Sequence, residues 1–329
     1  MKRKMMKYGF GVDIGGTTVK IAFFDQDGQM LCKWEIPTRK EADGEQILPD
    51  VADSIRRFLR EKRAIARDQI IGIGVGVPGP VLNGGIVNRC VNLGWGVKNL
   101  KQELEILTGF PVAAGNDANV AALGECWKGG GQGCQNMAMV TLGTGIGGGI
   151  IVDGKMVTGA HGAGGEIGHM VLEPGEPEFC GCGKQGCAEQ YCSATGIVRV
   201  AKQVLASAPM DSSLRKIRIL TCKDIFDSAA CGDNLALEIL ERVYAYLGRF
   251  LANVCCVADP DVIVLGGGVS KAGAPLLEGT MRYYQKYAFH ACRAVKLVPA
   301  RLGNDAGAYG AYKLILDAQA MQNSLTLSK

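Results

Sequence analysis

The sequence predicts an α/β protein of two similar units with a cleft between them. Three observations predict it. An apolar strand running into a glycine turn and then a second strand-like run occurs near the N-terminus. The same order recurs from residue 137. The 47 glycines stand in short clusters between apolar runs, as where backbone must approach a ligand closely, and not in a low-complexity tract.

In chain order, Tyr8 to Ile14 is an apolar run that ends in Asp13-Ile14-Gly15-Gly16-Thr17-Thr18, and Val19 to Phe24 is the second strand, closed by a turn at Asp27-Gly28. Ile47, Val51, Ile55 and Leu59 recur every four residues, as on one helix face. Ile70 to Val77 reads as a buried strand stopped by Pro78-Gly79-Pro80. Pro111 to Gly115 is a short strand leading into Asn116-Asp117, with helix over Ala118 to Trp127. The second unit opens with the strand Met137 to Leu142, the loop Gly143 to Gly149, and a hairpin over Ile150 to Val157 around Asp153-Gly154. Glu173 to Gly186 is irregular and too polar to pack without a staple. A helix over about Asp233 to Ala258 feeds the strand Asp261 to Leu265 and the triple glycine Gly266 to Gly268, and a last helix starts near Asp305. The halves share no direct sequence repeat.

At 329 residues there is room for two domains of ordinary size. Hydrophobic residues at 47% and charged residues at 21% fit a soluble globular protein. The net charge of +4 is spread along the chain, which predicts no nucleic-acid partner. Met1 to Lys7 is basic, but Asp13, Gly15 and Gly16 break the apolar stretch behind it, so it does not read as a signal peptide. No apolar run reaches the length of a membrane span, and no membrane association is expected. Thirteen cysteines are an odd number, and only Cys180, Cys182 and Cys187 cluster tightly, whereas Cys255 and Cys256 sit in apolar helical sequence. That usage predicts reduced thiols, one metal site and a cytoplasmic protein.

Gly15 and Gly16 after a strand permit positive φ and leave N–H groups free for phosphate oxygens. Thr17 and Thr18 add hydroxyls, and Asp13 offers a carboxylate to a metal–nucleotide complex; a plain hairpin turn is the alternative. Leu142 to Gly149 repeats this chemistry, with Gly143, Thr144 and Gly145 at its start. It is neither a Walker A loop nor a dinucleotide fingerprint, and its alternative is a mobile loop. Two such loops can clamp a phosphate chain from opposite sides. Three thiols and one imidazole, His169, Cys180, Cys182 and Cys187, satisfy a closed tetrahedral structural zinc site. Glu166 stands one helical turn before His169 and Glu189 two residues after Cys187, so the metal fixes two carboxylates in space. Asn116-Asp117 reads either as a helix cap or, with Asn119, Glu166 and Glu189 nearby in a cleft, as the base for an acceptor hydroxyl. Trp34, Trp95 and Trp127 read as core, and His161 and His290 as surface or packing residues.

With these residues the sequence resembles the ROK family (repressors, open reading frames, kinases), and within it the bacterial glucokinases, from Asp13 to about Lys313. The most specific part is Glu166-x-x-His169 joined to Cys-Gly-Cys-Gly-x-x-Gly-Cys-x-Glu at Cys180 to Glu189. The resemblance implies an actin-like, hexokinase-type fold of two α/β domains. The expected division is a small domain over 1–117, with the helix at about 305–321 packed on it, and a large domain over 118–304 that carries the zinc loop. The resemblance further implies ATP with Mg²⁺ as donor. Asp13, Gly15, Gly16, Thr17, Thr18 and the stretch Thr141 to Gly145 would lie at the phosphates, and Gly266, Gly267 and Gly268 at the adenosine. Asn116, Asp117, Glu166, His169 and Glu189 would bind the sugar, with Gly79 beside it and Asp117 as catalytic base. A homodimer and glucose as acceptor are implied, another hexose such as N-acetylmannosamine, N-acetylglucosamine or fructose being the alternative. A sugar-responsive repressor, which needs a winged helix ahead of Tyr8, is the alternative of another class.

Overall fold

The structure, a computed structural model, describes residues 6–62 and 64–327; most of the basic stretch Met1 to Lys7 lies outside them. Two compact units divide the chain: 1–133 with 155–164 and 304–329, and 134–154 with 165–303.

The first unit starts with strands β1 (Tyr8–Ile14), β2 (Thr18–Asp25) and β3 (Met30–Pro37), then helix α1 (Ile47–Glu61) and strand β4 (Ile70–Val77). Three two-residue strands follow: β5 (Val81–Leu82), β6 (Ile86–Val87) and β7 (Lys98–Asn99). Helix α2 (Leu100–Thr108), strand β8 (Val112–Asn116) and helix α3 (Asp117–Lys128) complete this stretch. Its sheet runs β3-β2-β1-β4-β8, with β1 antiparallel to β2 and parallel to β4, and β4 parallel to β8. The apolar sequence of β4 is what a strand covered on both faces requires. On one face Phe10, Val12, Ile21 and Val75 pack with Val51 and Ile55, which the four-residue spacing had placed on the inner side of α1.

The second unit opens with β9 (Met137–Leu142) and β10 (Ile146–Val152). The expected hairpin turns at Asp153 and Gly154, both with left-handed φ (50° and 71°). Strand β11 (Lys155–Met156) belongs to the first unit, and the chain then returns to the second. There it forms α4 (Glu189–Cys192), α5 (Ala194–Ser207), α6 (Cys222–Ala230), α7 (Asn234–Ala258), β12 (Val262–Gly266), α8 (Ala274–Tyr287) and β13 (Lys296–Pro299). The second sheet runs β11-β10-β9-β12-β13, with β9 antiparallel to β10 and parallel to β12, which repeats the order of the first sheet strand for strand. Asp233 caps α7 by accepting from the N–H groups of Leu235 and Ala236, and Ile239, Val243, Leu247 and Phe250 on that helix are fully buried.

Helix α9 (Ala306–Leu327) lies in the first unit. It also carries the reason why the units divide at Gly133 and not at 117/118. Gly310 lies so close to α3 that a Cβ there would meet the Val120 carbonyl at 1.7 Å, and a Cβ on Gly124 would meet the Ala306 carbonyl at 2.3 Å. Backbone against backbone, α3 is held to α9 and stays with the first unit. Gly11 and Gly74 likewise admit α9 against β1 and β4, facing the carbonyls of Ala308 and Ala311. These isolated glycines, outside the clustered loops, serve helix packing. Trp95 is buried with its indole N–H on the Gly44 carbonyl, and Trp34 stacks on Phe58, as core tryptophans do.

Candidate active site

The register of the first sheet brings three motifs to one edge. Asp13 on β1 pairs with Gly76 on β4, which pairs with Gly115 on β8. The chain therefore leaves the carboxyl ends of three parallel strands as Gly15-Gly16, Pro78-Gly79 and Asn116-Asp117, the edge where open α/β sheets bind ligands. Asn116 is the cap of α3: its Oδ1 accepts from Ala118 N (3.0 Å) and Asn119 N (3.1 Å), and its Nδ2 donates to the Gly79 carbonyl (3.1 Å). One amide hydrogen remains for a ligand. Because Asn116 caps the helix, Asp117 is not needed for that task. Its Oδ1 takes the Ala118 N–H (2.8 Å), and its Oδ2 accepts from no described residue. Burial pushes the Asp117 carboxyl up, opposed by that N–H.

Asp13 is pushed up to about 6, by burial first and by the neighbouring Asp117 charge, against the pull of Lys20 at 4.0 Å. The first turn of α9 closes over it; a Cβ on Gly307 would sit 2.7 Å from Asp13 Cγ. A folded value of about 6 against an ordinary 3.8 means that folding disfavours the ionised form. The cost is absent below pH 4, grows between 4 and 6, and is complete above, on the order of 3 kcal/mol. Asp13→Asn is therefore expected to raise the melting temperature at pH 8, to leave it nearly unchanged at pH 4.5, and to cost activity at both. Equal shifts in melts at the two pH values would show that the carboxyl is not destabilised by burial.

Both glycine loops are hairpin turns, β1–β2 and β9–β10, so the plain reading and the ligand reading describe the same backbone. Positive φ is not what the glycines supply, since none of Gly15, Gly16, Gly143 or Gly145 has it. A Cβ on Gly16 would meet nothing within 4 Å. Its bareness leaves the backbone N–H accessible. Thr17 is exposed, and Thr18 opens β2 with its backbone carbonyl accepting from Gly15 N. Gly267 (φ 83°) is wedged on Leu142, where a Cβ would meet the carbonyl at 2.4 Å, so the triple glycine lies against the strand that feeds Gly143.

The ligating atoms of His169, Cys180, Cys182 and Cys187 lie within 4.8 Å of one another. Cys182 Sγ to Cys187 Sγ is 3.7 Å and Cys180 Sγ to His169 Nδ1 is 3.8 Å. A tetrahedron with zinc–sulfur bonds of about 2.3 Å has edges of about 3.8 Å, so the donor set fits that ion. Burial and the neighbouring sulfurs push the Cys187 thiol up to about 12, and a dication is what three thiolates gathered here require. Two short pairings, Leu172 N to the Gly186 carbonyl and Ala188 N to the Met170 carbonyl, bring His169 beside Cys187. With Nδ1 toward the sulfurs, Nε2 faces Glu166 at 3.8 Å, and Glu166 is half exposed. Glu189 is shared: Oε1 is 3.6 Å from Cys180 Sγ and Oε2 accepts from Ile146 N at 2.9 Å.

Beside Thr144 opens a groove of about 760 Å³, lined by Ala194, Thr195, Val198 and Lys202 of α5 and by Leu220 and Cys222. Arg199 on the same side is paired with the buried Glu176 and with Glu178. These residues escape sequence reading. Thr38 escapes it as well, although its hydroxyl donates to the Gly15 carbonyl at 2.7 Å.

Two units of the same strand order, each turning glycine loops out at its strand ends, have the actin-like ATPase fold. The chain matches the ROK family over residues 9–318 and belongs to that family. It is 42% identical to a glucokinase of Halalkalibacterium halodurans, over 91% of this chain and 92% of that one. Among solved structures it resembles a ROK hexokinase from Thermus thermophilus (TM-score 0.77, 33% identity, 97% of this chain and all of that one). It also resembles a ROK glucokinase from Streptomyces griseus solved with glucose and AMPPNP (TM-score 0.70, 32% identity, 94% and 99% covered). Among the described residues no helix is long and apolar enough to cross a membrane.

Proposed function

We propose that the chain is an ATP-dependent hexose kinase that moves the γ-phosphate of ATP to the 6-hydroxyl of glucose. The observation carrying this reading is its kinship with a glucokinase over nine tenths of both chains, with every motif residue in place. Sugar hydroxyls carry no charge, so they are selected by acceptors and donors set one to each. On this reading the candidates are the remaining Asn116 amide hydrogen, the backbone beside Gly79, Asp117, Glu166, His169 Nε2 and Glu189. Asp117 Oδ2, which accepts from no described residue, takes the proton of the attacking hydroxyl. Because phosphoryl transfer is loose and that proton leaves late, a modestly raised carboxyl suffices.

The N–H groups at Gly16 and at Thr144 and Gly145 receive phosphate oxygens, the base enters the groove beside Thr195, and Gly266 to Gly268 lie along the nucleoside. Asp13 would hold the magnesium that arrives with ATP, which would neutralise phosphate charge. His169, Cys180, Cys182 and Cys187 would hold a structural zinc, which would orient the imidazole and the flanking carboxylates. A cytoplasmic setting, which keeps those thiols reduced, and a homodimer belong to the same reading.

Measuring kcat/KM for glucose, N-acetylglucosamine, N-acetylmannosamine, mannose and fructose, with coupled ADP detection, tests the acceptor. Glucose is expected to lead the acetylated sugars by about ten- to hundred-fold, since a masked 2-hydroxyl leaves a buried partner unmatched at a cost of about 1–3 kcal/mol. A preference for an acetylated sugar would overturn glucose and keep the kinase.

A further inference from the structure

We infer that Thr195 is a positioning residue for the phosphoryl donor, and that the stretch from Glu189 to Thr195 makes the metal loop and the donor loop one hydrogen-bonded piece. The inference rests on the kinase reading above.

Gly143, Thr144 and Gly145 have little internal restraint, the turn being closed by a single bond, Gly143 N to the Gly145 carbonyl at 3.0 Å. Three bonds hold it from outside, all from the same seven residues. Glu189 Oε2 accepts from Ile146 N (2.9 Å), Ala194 N donates to the Gly143 carbonyl (2.8 Å), and the Thr195 hydroxyl donates to the Thr144 carbonyl (2.7 Å). In a trans peptide the N–H points opposite to the C=O. Fixing the carbonyls of Gly143 and Thr144 toward α5 therefore turns the N–H groups of Thr144 and Gly145 the other way. Neither N–H donates to any described residue. Two adjacent free amides facing one side form a concave site for an anion.

Gly145 is glycine for the same reason, since a Cβ there would meet Glu189 Oε2 at 2.3 Å. The stretch is itself braced: the fully buried Ser193 donates to the Glu189 carbonyl (2.7 Å) and accepts from Gly196 N (3.0 Å), which caps α5. Glu189 begins two residues after Cys187 and also approaches Cys180. The first unit uses the same device independently, the Thr38 hydroxyl holding the Gly15 carbonyl while Gly16 N stays free. In each unit a threonine hydroxyl aims a glycine-loop amide by its carbonyl.

Thr195 is exposed, so valine removes the hydroxyl without disturbing the core. In Thr195→Val we expect about ten-fold weaker MgADP binding by calorimetry, in line with loss of one charge-assisted contact. Adenosine binding, KM for glucose and bound zinc should stay at wild-type values, and Thr195→Ser should restore MgADP binding to within about three-fold. Equal weakening of adenosine and MgADP would make Thr195 only a wall of the base groove. Unchanged MgADP binding would equally overturn the inference. Wild-type protein that binds no MgADP would instead reject the kinase reading itself.

Discussion

Replacing Asp117 by alanine is expected to lower kcat by about 10²- to 10⁴-fold, the range that a positioned general base contributes, while sugar affinity falls only modestly. The local geometry makes this a clean test. Asn116 carries the cap of α3 with two accepted N–H groups, so the helix start survives the loss of Asp117. Burial disfavours the Asp117 carboxylate, so alanine should not destabilise the fold at neutral pH. Asp117→Asn keeps the shape and one acceptor, and separates proton removal from hydrogen bonding. Single-turnover kinetics with a melting curve on each variant gives the answer. A kcat above about a tenth of wild type in the alanine variant would remove Asp117 from the role of base.

Cys182→Ser is the second substitution with a large expected effect. Purified wild type should carry one zinc per chain, and the serine variant close to none. KM for glucose should rise about ten- to hundred-fold, the usual loss when the groups orienting a site are released. Cys182 is the exposed member of the cluster, whereas Cys180 and Cys187 are buried, so serine at 182 tests the metal with little direct cost to the core. Without the ion His169 Nδ1 keeps only its 3.8 Å contact with Cys180 Sγ among the described residues, a weaker restraint on the ring that presents Nε2 beside Glu166. Metal analysis alongside steady-state kinetics decides the matter. Active wild-type enzyme without zinc would reject the site, and a metal-free variant with unchanged KM for glucose would detach the metal from the sugar.

Much of the scaffold was legible from residue patterns because long apolar runs leave few options. Tyr8–Ile14, Ile70–Val77 and Met137–Leu142 are strands with the expected ends, and α7 follows the helical stretch expected over Asp233 to Ala258. The edge strand β3, whose residues alternate between half-buried and exposed, and the helices α2, α5, α6 and α8 gave weaker signals and were not anticipated. The division at residue 117 failed for a reason that no local pattern carries: α3 is locked to a helix nearly two hundred residues later by Gly124 and Gly310. The same holds for Gly11 and Gly74: their place within strands was legible, but that their bareness admits α9 was not.

The chain by itself determined the chemistry available: the carboxylates, the bare amides of two glycine turns, and three thiols with one histidine at the spacing of a closed metal site. Residue identity and short spacing are local properties, and these motifs are local. The tertiary structure decided which atoms are left over for a ligand. Asn116 took the cap and left Asp117 Oδ2 without a partner among the described residues, the first turn of α9 closed over Asp13 and left its carboxyl buried, and Thr195 and Thr38 reached across from distant elements to aim the loop amides. A hydrogen bond between residues tens of positions apart depends on packing that brings them within about 3 Å. No pattern within either segment encodes that distance.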